Sequence, residues 1–528
     1  MKKLYHDGTI ITMEEPATVE ALVTDEDRIV ALGTFEELKT EYPEAECVDL
    51  NGLTLMPAFI DPHSHITMTA NMMVATDLTE CLSFEDIVTT LKKDLEKKQL
   101  GKDDVLIGFG YDHNVLKEEK HPTKDILDQV SKEVPIFITH VSGHMGCGSS
   151  KVLELAHITE DTKDPEGGKF GRVDGTMEPN GYFEEGAMMQ LYQAFGSRMQ
   201  VDTLSLLKEA EKLYASYGIT TVQDGASTKE TVQLLKEAGK HGILYLDVVA
   251  YPLYSAGAEN IIRENMDYTK FYHNHLKIGG YKLILDGSPQ GKSAWMTRPY
   301  ENSGDYAGYP WMKDEDVLSC IESALNNQRQ VLAHCNGDAA SDQYLRCYQK
   351  ALEKKDDRTL RPVMIHCQTV RKDQLELMKE IGMIPSIFVG HTYFWGDVHV
   401  KNFGLDRGTH ISPAGSALKL GLPINFHQDT PVTKPNMMHS VWCAVNRISR
   451  SGKVLAEEER ISVLDALKAV TIGSAYEYFE EDEKGSLKVG KKADFAILDQ
   501  DPLTIDPMEL KDIVVMKTIK DGEVIYER

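Results

Sequence analysis

Two histidines separated by one residue end an apolar segment near the start of the chain, Phe59-Ile60-Asp61-Pro62-His63-Ser64-His65. In an extended backbone, residues i and i+2 point to the same side, so both imidazole rings can face one ion. Neutral imidazole is the commonest protein ligand of zinc and other late first-row metals. The motif predicts that His63 and His65 bind a metal, although the same pattern also occurs in purely structural roles.

Three further apolar segments end in side chains that metals bind. His334 ends Val331-Leu332-Ala333, His366 ends Val363-Met364-Ile365, and Asp429 closes the segment that starts at Ile424. A single histidine of this kind is more often an ordinary hydrogen-bonded residue than a ligand. Active sites of (β/α)₈ barrels lie at the carboxyl ends of the strands, so several such ends together indicate one shared metal site.

Lys282 lies inside the apolar segment Tyr281-Lys282-Leu283-Ile284-Leu285. A charged lysine is costly to bury unless it is paired. One interpretation is a salt bridge with Asp286 or another acid. The other interpretation, a role at the metal site, depends on the resemblance described below.

Short β-branched segments alternate with helical patterns through the middle of the chain, which is typical of a parallel sheet. Eight strands are predicted, at Ala58–Asp61, Ile219–Gln223, Ile243–Ala250, Lys277–Asp286, Gln330–His334, Val363–Cys367, Ile384–Val389 and Pro423–Asp429. The interval between the first two is far longer than a crossover helix needs, so it must contain an inserted subdomain, at about residues 70–200.

Both ends of the chain are predicted to be β-rich and to contribute to one sheet. Hairpin signals surround Asp7-Gly8 and Asp521-Gly522, and Phe495-Ala496-Ile497-Leu498 forms a strand-like segment. The expected domains are therefore a β-sandwich made of residues 1–57 and 485–528, and a barrel domain at residues 58–484.

Composition excludes several classes of protein. The formal net charge is -26, and the sequence contains no run rich in lysine and arginine. Nucleic acid is therefore not an expected partner. No apolar run is long enough for a transmembrane helix, and Met1–Met13 lacks the pattern of a secretion signal, so no membrane association is expected. The eight cysteines form no C-x-x-C pair, which favours reduced thiols in the cytoplasm.

The motifs together resemble the amidohydrolase superfamily, and within it the branch of N-substituted formamide deformylase-like proteins (amidohydrolase family 3). The resemblance spans nearly the whole chain. It rests on residues 59–65, 281–288, 333–338, 366–368, 428–432 and 489–495, and on Ser142-Gly143-His144 and Gly167-Gly168 through Glu184-Glu185 in the insertion.

The resemblance implies a (β/α)₈ (TIM) barrel of the α/β class, with a β-sandwich from both chain ends and a large insertion after the first barrel strand. It also implies one or two divalent metal ions, most readily zinc, held by five residues at four strand ends: His63, His65, His334, His366 and Asp429. Lys282 matches the lysine that is carboxylated and bridges two metals in binuclear members. Many relatives read Ser-Asp-x-Pro-Val where this chain has Gln428-Asp429-Thr430-Pro431-Val432, so the surroundings of Asp429 differ.

The function implied is hydrolysis of a non-peptide C–N bond of a small molecule, such as an N-formyl or N-acyl amide. Asp429 is expected to take a proton from the attacking water and return it to the leaving nitrogen. His391 is expected to contact the reacting carbonyl group, and His144 and Tyr111 to shape the substrate pocket; ordinary structural roles remain alternatives for all three.

Two other functions stay open at this point. The same site would suit a deaminase or an esterase, because the fold does not fix the reaction. A catalytically silent regulatory protein with this fold is the other alternative, which the complete set of ligand types disfavours. A homodimer is the expected assembly, because dimers are the commonest one.

Overall fold

The protein is described from a computed structural model, which covers residues 1–113, 115–141, 145–165, 168–185, 187–188, 191 and 202–528. Two compact units divide the chain. Unit 1 consists of Met1–Thr69 and Leu207–Arg528, and unit 2 consists of Ala70–Leu206.

Parallel strands form the framework of unit 1. Among the described residues they are β1 (Phe59–Ile60), β2 (Ile219–Ser227), β3 (Asp247–Pro252), β4 (Leu276–Ile278), β5 (Gly280–Ile284), β6 (Gln330–Cys335), β7 (Val363–His366), β8 (Ile384–Ile387) and β9 (Asn425–Phe426). The first four pair in the order β4-β3-β2-β1, and the other five pair in sequence order. A parallel bridge between Leu253 and Lys282 connects the two sheets. The protein therefore has a TIM-barrel-type α/β fold.

Strand bounds differ from the predicted ones where a side chain or an unusual backbone angle ends the strand pairing. The third strand starts at Asp247, four residues after the predicted start, because the amides of Tyr245 and Leu246 donate hydrogen bonds to the Glu211 carboxylate, at 2.7 and 3.1 Å. The last strand is limited to Asn425–Phe426 and does not reach Asp429, whose φ is 53°.

Helices follow most of the parallel strands. The described helices are Phe35–Glu41, Ile66–Met72, Phe84–Lys98, Lys124–Leu127, Ser150–Leu155, Thr203–Ser216, Lys229–Lys240, Ala258–Glu264, Asp314–Asn327, Asp338–Lys354, Lys372–Ile381, His391–Phe394, Gly396–Thr409, Ala414–Lys419, Met437–Asn446, Val463–Ala469 and Ile472–Glu477. Those after β5, β6 and β7 turn an apolar face inward, with four or more buried residues each. The carboxyl ends of the strands are followed by loops, which contain candidate site residues.

The two ends of the chain share a six-stranded sheet. Its strands run in the order Glu523–Glu527, Val515–Lys520, Phe495–Leu498, Thr54–Pro57, Thr9–Ile11 and Thr18–Val19. A second sheet pairs four strands in the order Arg28–Gly33, Ala21–Asp25, Lys2–His6 and Glu46–Asp49. One hydrophobic cluster contains residues of both sheets, including Leu22 and Phe495.

Unit 2 contains a mixed six-stranded sheet of its own. The strands run in the order Gly168–Arg172, Pro179–Glu185, Met145–Gly148, Ile136–His140, Leu106–Tyr111 and Thr76–Asp77. Leu106–Tyr111 and Ile136–His140 are parallel neighbours, and both are almost completely buried.

Two further expectations concern chemistry rather than topology. In the described part of the chain, no helix has the length and apolar character needed to cross a membrane. All eight cysteines are free thiols, in agreement with the expectation of reduced cysteines.

Candidate metal centre

The predicted histidine pair converges on the predicted aspartate. Nε2 of His63 lies 3.5 Å and Nε2 of His65 lies 3.2 Å from the same oxygen, Oδ1 of Asp429. Nε2 of His366 lies 3.9 Å from the other carboxylate oxygen. Donor atoms of His63, His366 and Asp429 all lie within 4.8 Å of one another, so three separate strand ends deliver metal-binding atoms to one point.

Lys282 and His334 lie beside this group. Nζ of Lys282 lies 3.3 Å from Nε2 of His63, and the lysine is fully buried. The His334 ring lies 4.5 Å from the His366 ring, between centroids. All six predicted metal-site residues are therefore brought together.

The predicted salt bridge between Lys282 and Asp286 is not formed. Asp286 instead accepts hydrogen bonds from backbone amides of Trp295, Asn336 and Gly337, and its Oδ1 lies 3.1 Å from Nδ1 of His334. Asp286 belongs to the loop after β5, where these amides converge. No described carboxylate forms an ion pair with Lys282.

Neighbouring polar groups orient the imidazole rings. Nδ1 of His63 lies 2.7 Å from Oε1 of Gln223, whose amide nitrogen donates to the carbonyl of Pro62. Since that oxygen can only accept, Nδ1 carries the proton and the lone pair of Nε2 faces Asp429. Asp286 orients His334 through Nδ1 in the same way, while Nε2 of His334 lies 3.2 Å from the Asn336 amide nitrogen. Ligand histidines are commonly fixed by such partners.

The backbone is strained at the ends of two site strands. His366, Cys367 and Asp429 have φ values of 74°, 48° and 53°. Residues other than glycine rarely adopt this left-handed region, at a cost of about 1–3 kcal/mol each, and they cluster at functional sites. The strain turns His366 and Asp429 out of their strand directions toward each other.

A glycine makes room for the first ligand. A Cβ atom on Gly225 would lie 2.7 Å from Cε1 and 2.9 Å from Nδ1 of the His63 ring. Gly225 follows Asp224 in β2, whose backbone also pairs with His65. The His63 ring is therefore packed directly on backbone that only glycine leaves open.

Burial and neighbouring charges set the protonation states. Burial, with Lys282 close by, holds the pKa of His63 well below its ordinary value, and burial next to His334 does the same for His366. Burial alone would raise the pKa of Asp429, but the hydrogen bond with His65 and the nearby positive charges hold it below its ordinary value. Burial lowers the pKa of Lys282 to about 8. Neutral imidazoles and an ionised carboxylate are the forms that bind cations.

His427 is a site residue that the sequence analysis did not assign. Its Nε2 lies 3.2 Å from Nδ1 of His366, and its Nδ1 lies 3.0 Å from Oγ of Ser386. The imidazole is completely buried, and burial lowers its pKa to about 3. His427 precedes Asp429 by two residues, the same spacing as the His63 and His65 pair, so the sequence did contain a signal.

Three other residues were predicted to contact the reacting group or the substrate: His391, Tyr111 and His144. His391 starts the short helix after β8, and its ring centroid is 6.4 Å from that of His366 and 5.4 Å from that of His399. Tyr111 is completely buried in the core of unit 2, with its hydroxyl 3.0 Å from Nδ1 of His121. His144 lies outside the described residues. The substrate contacts of all three stay predictions.

Comparison with known proteins assigns the chain to a family. Residues 46–526 match the profile of the amidohydrolase family. The chain belongs to this family. Residues 21–45 also match the bacterial imidazolonepropionase-like composite domain.

Relatives of the amidohydrolase family match over the whole chain. A putative amidohydrolase, YtcJ, of Bacillus subtilis is 27% identical over all of both chains. The N-substituted formamide deformylase of Arthrobacter pascens is 25% identical over 96% of this chain and 95% of its own. The predicted resemblance to the amidohydrolase superfamily is thereby confirmed.

A solved structure shares the fold of this amidohydrolase. An uncharacterized metal-dependent hydrolase of Pyrococcus furiosus aligns with a TM-score of 0.75 and 26% identity, over 96% of this chain and all of its own. The chemistry of the donor set fits a divalent cation: imidazole nitrogens, which bind metals when neutral, surround an ionised carboxylate. The site is the candidate metal centre of a hydrolase.

Proposed function

We propose that this amidohydrolase is a metal-dependent enzyme that hydrolyses a non-peptide C–N bond of a small molecule, of the N-formyl or N-acyl amide type. The observation that carries the proposal is the convergence of His63, His65 and His366 on Asp429, next to the buried Lys282. The proposal includes closure of the two parallel sheets into one (β/α)₈ barrel and packing of the two end sheets as a β-sandwich.

His63, His65 and Asp429 would hold one ion, and His334 and His366 a second one. Zinc is the first choice, because nitrogen ligands dominate the set. A bound divalent ion would polarise the substrate carbonyl group and lower the pKa of a water molecule.

Carboxylation of Lys282 is part of the proposal. The amine is completely buried, and among the described residues its hydrogen-bonding contact is the imidazole of His63 rather than a carboxylate. A buried positive charge without a negative partner is unfavourable. Addition of carbon dioxide to the neutral amine, with release of a proton, would form a carbamate and replace this cation by an anionic oxygen ligand.

Asp429 is the group that moves the proton. Its carboxylate is ionised and hydrogen-bonded to His65, so it can accept the proton from the attacking water. It then delivers the proton to the departing nitrogen, which leaves as the amine while the acyl group becomes a carboxylic acid. Transfer by a positioned acid–base group contributes about 10²–10⁴-fold to the rate.

His391 is proposed to face the reacting carbonyl group from the loop after β8. Burial beside His399 holds the pKa of His391 well below its ordinary value, so the ring is neutral and one ring nitrogen is a hydrogen-bond donor. A small-molecule substrate and a homodimer complete the proposal.

The test combines metal analysis with a substrate panel. The purified enzyme is assayed against N-formyl and N-acyl amines, esters and amino-substituted heterocycles, next to Asp429→Asn and the control Asp406→Asn, whose side chain is 87% exposed. We expect amide hydrolysis that falls about 10²–10⁴-fold in Asp429→Asn at retained metal content and is unchanged in Asp406→Asn.

The other functions appear as distinct outcomes of the same assay. Ammonia release from the heterocycles alone would make the enzyme a deaminase, and cleavage of the esters alone an esterase. Stoichiometric metal without turnover on any compound would favour a regulatory protein. Full activity of Asp429→Asn would remove Asp429 from the reaction.

A further inference from the structure

Unit 2 contains a second group of metal-binding side chains, separate in sequence from the site of unit 1. Asp112, His113 and His140 have donor atoms within 4.8 Å of one another. We propose that Asp112, His113 and His140 bind a divalent late first-row metal ion of the zinc type at the edge of the unit 2 sheet.

Two parallel strands deliver the three residues to one place. Leu106–Tyr111 and Ile136–His140 are hydrogen-bonded neighbours, with Tyr111 opposite His140. Asp112 and His113 follow the end of the first strand directly, and His140 is the last residue of the second. Since parallel strands end at the same edge of a sheet, the three side chains meet there.

A bulge sets the direction of the first strand end. The pairing shifts between Phe109 and Tyr111, at Gly110, whose φ is 98°. A Cβ atom on Gly110 would lie 2.5 Å from Cγ2 of Thr79, so the position requires glycine for both conformation and space. Bulges of this kind re-aim side chains at functional sites.

The spacing of the donor atoms matches zinc coordination. Nδ1 of His113 lies 3.2 Å from Nε2 of His140, and Oδ1 of Asp112 lies 3.4 Å from Nε2 of His140 and 3.9 Å from Nδ1 of His113. A point equidistant from three atoms at these separations is about 2 Å from each, and zinc bonds to nitrogen and oxygen are about 2.0–2.2 Å long. The three atoms therefore need little movement to share one ion.

A third histidine packs against the site. The His121 ring stacks on the His113 ring, with centroids 4.0 Å apart and 26° between the planes. Its Nδ1 lies 3.0 Å from the buried Tyr111 hydroxyl, and the ring packs on Tyr182 at 4.5 Å. His121 is thus a positioning residue that fixes the plane of the His113 imidazole.

Two of the three side chains are partly exposed. The side chains of Asp112 and His113 are 33% and 27% exposed, whereas His140 is 6% exposed. Among the described residues, three side chains supply the nitrogen and oxygen donor atoms that are typical of zinc sites. The ligand class is a divalent cation with nitrogen and oxygen preference, such as Zn²⁺ or Co²⁺.

The experiment uses Co²⁺ as the probe, because its visible absorption reports the number and type of ligands. The full chain with His63→Asn, His65→Asn and His366→Gln, which removes ligands of both ions proposed for unit 1, is dialysed with Co²⁺ and then freed of excess metal. We expect about one equivalent of cobalt per chain with a tetrahedral spectrum. Adding His113→Asn and His140→Gln should remove it, and adding Asp112→Asn should weaken binding at least 10-fold.

A matched control comes from the same unit. His157 is an exposed histidine of unit 2 with a positive φ, a conformation that asparagine tolerates, so His157→Asn should leave the cobalt in place. Circular dichroism establishes that each variant is folded. Two results would overturn the proposal in favour of a metal-free hydrogen-bonded cluster. One is cobalt that stays bound after the loss of His113 and His140. The other is a folded chain without the unit 1 ligands that binds no cobalt.

Discussion

His427 carries the clearest prediction at the scale of single residues. It is placed to hold His366, because its Nε2 meets Nδ1 of His366 while Ser386 occupies its own Nδ1. His427→Phe should weaken metal binding at the centre about 10–100-fold, the usual effect of removing a group that orients a ligand. His427→Gln, whose carbonyl oxygen can accept from His366, should recover most of it.

Competition with a chelator measures this affinity. His399→Phe is the matched control: His399 is also fully buried, but neither of its ring nitrogens has a hydrogen-bond partner among the described residues. Equal losses in His427→Phe and His399→Phe would mean that the effect is only repacking, and equal losses in Phe and Gln variants of His427 would exclude a hydrogen-bonding role.

Gly225 supports a second residue-scale prediction. In Gly225→Ala, the new methyl group would meet the His63 ring at 2.7 Å, so the ring must move and lose its alignment with Asp429. We expect a loss of stability of about 1–3 kcal/mol, as in overpacked cores, together with lower metal content and activity. In Gly33→Ala, the nearest atom would be 3.6 Å from the new methyl group, so stability, metal content and activity should stay unchanged. A variant with full metal content and activity would show that the His63 site tolerates displacement.

The sequence predicted which residues converge at the candidate centre better than it predicted the groups that orient them. His63, His65, His334, His366 and Asp429 follow apolar segments, and the ends of parallel strands must meet. Gln223 and Asp286 hold the rings of His63 and His334 through contacts between distant parts of the chain. Such pairings depend on the direction of individual side chains, which strand patterns do not specify.

At the scale of secondary-structure elements, buried charges join the parallel sheet to the chain end. Asp247 at the start of β3 pairs with Lys484, at 2.7 Å, and with Lys520 of the strand Val515–Lys520, at 3.1 Å. Nδ1 of His275 lies 3.0 Å from its other oxygen. All three carboxylate and ammonium groups are almost completely buried. The cluster therefore links two sheets through charges that depend on one another.

Asp247→Asn should therefore destabilise the protein by about 1–3 kcal/mol at pH 7, because the buried Lys484 and Lys520 lose the carboxylate they share and keep one each, Glu480 and Asp521. Burial alone would raise the pKa of Asp247, but Lys484 and Lys520 hold it well below its ordinary value. A depressed carboxyl pKa contributes stability above the unfolded pKa, about 3.9, which is lost as pH falls. The difference in melting temperature between wild type and variant should shrink from pH 7 to pH 3; a constant difference would exclude the ionised carboxylate as its cause.

Strand positions were predictable to within a few residues, but their ends were not. The amides of Tyr245 and Leu246 bind Glu211 rather than a neighbouring strand, which moves the start of β3. The single strand expected at Lys277–Asp286 is described as β4 and β5, on either side of Gly279. In the first case hydrogen bonds to a side chain outweigh the hydrophobic pattern that predicted the strand. In the second, the segments on either side of Gly279 pair in different sheets.

At the scale of the whole molecule, the two proposed metal sites, one in each compact unit, predict two separate responses to metal. A ligand that binds only the folded state stabilises it by mass action, so each ion should protect the strands that carry its ligands. Chelation of the wild type should increase amide hydrogen exchange in β7 and β9 of unit 1, and also in Leu106–Tyr111 and Ile136–His140 of unit 2. Adding Zn²⁺ should reverse both changes.

Variants separate the two responses. With His63→Asn, His65→Asn and His366→Gln, Zn²⁺ should still protect the unit 2 strands but protect β7 and β9 less. With His113→Asn and His140→Gln, the pattern should reverse. Hydrogen exchange followed by mass spectrometry resolves these segments, since each is read from its own peptides. Protection of unit 2 that disappears with the unit 1 ligands would mean that one site stabilises the entire chain, and protection confined to unit 1 in the wild type would leave Asp112, His113 and His140 as a hydrogen-bonded cluster only.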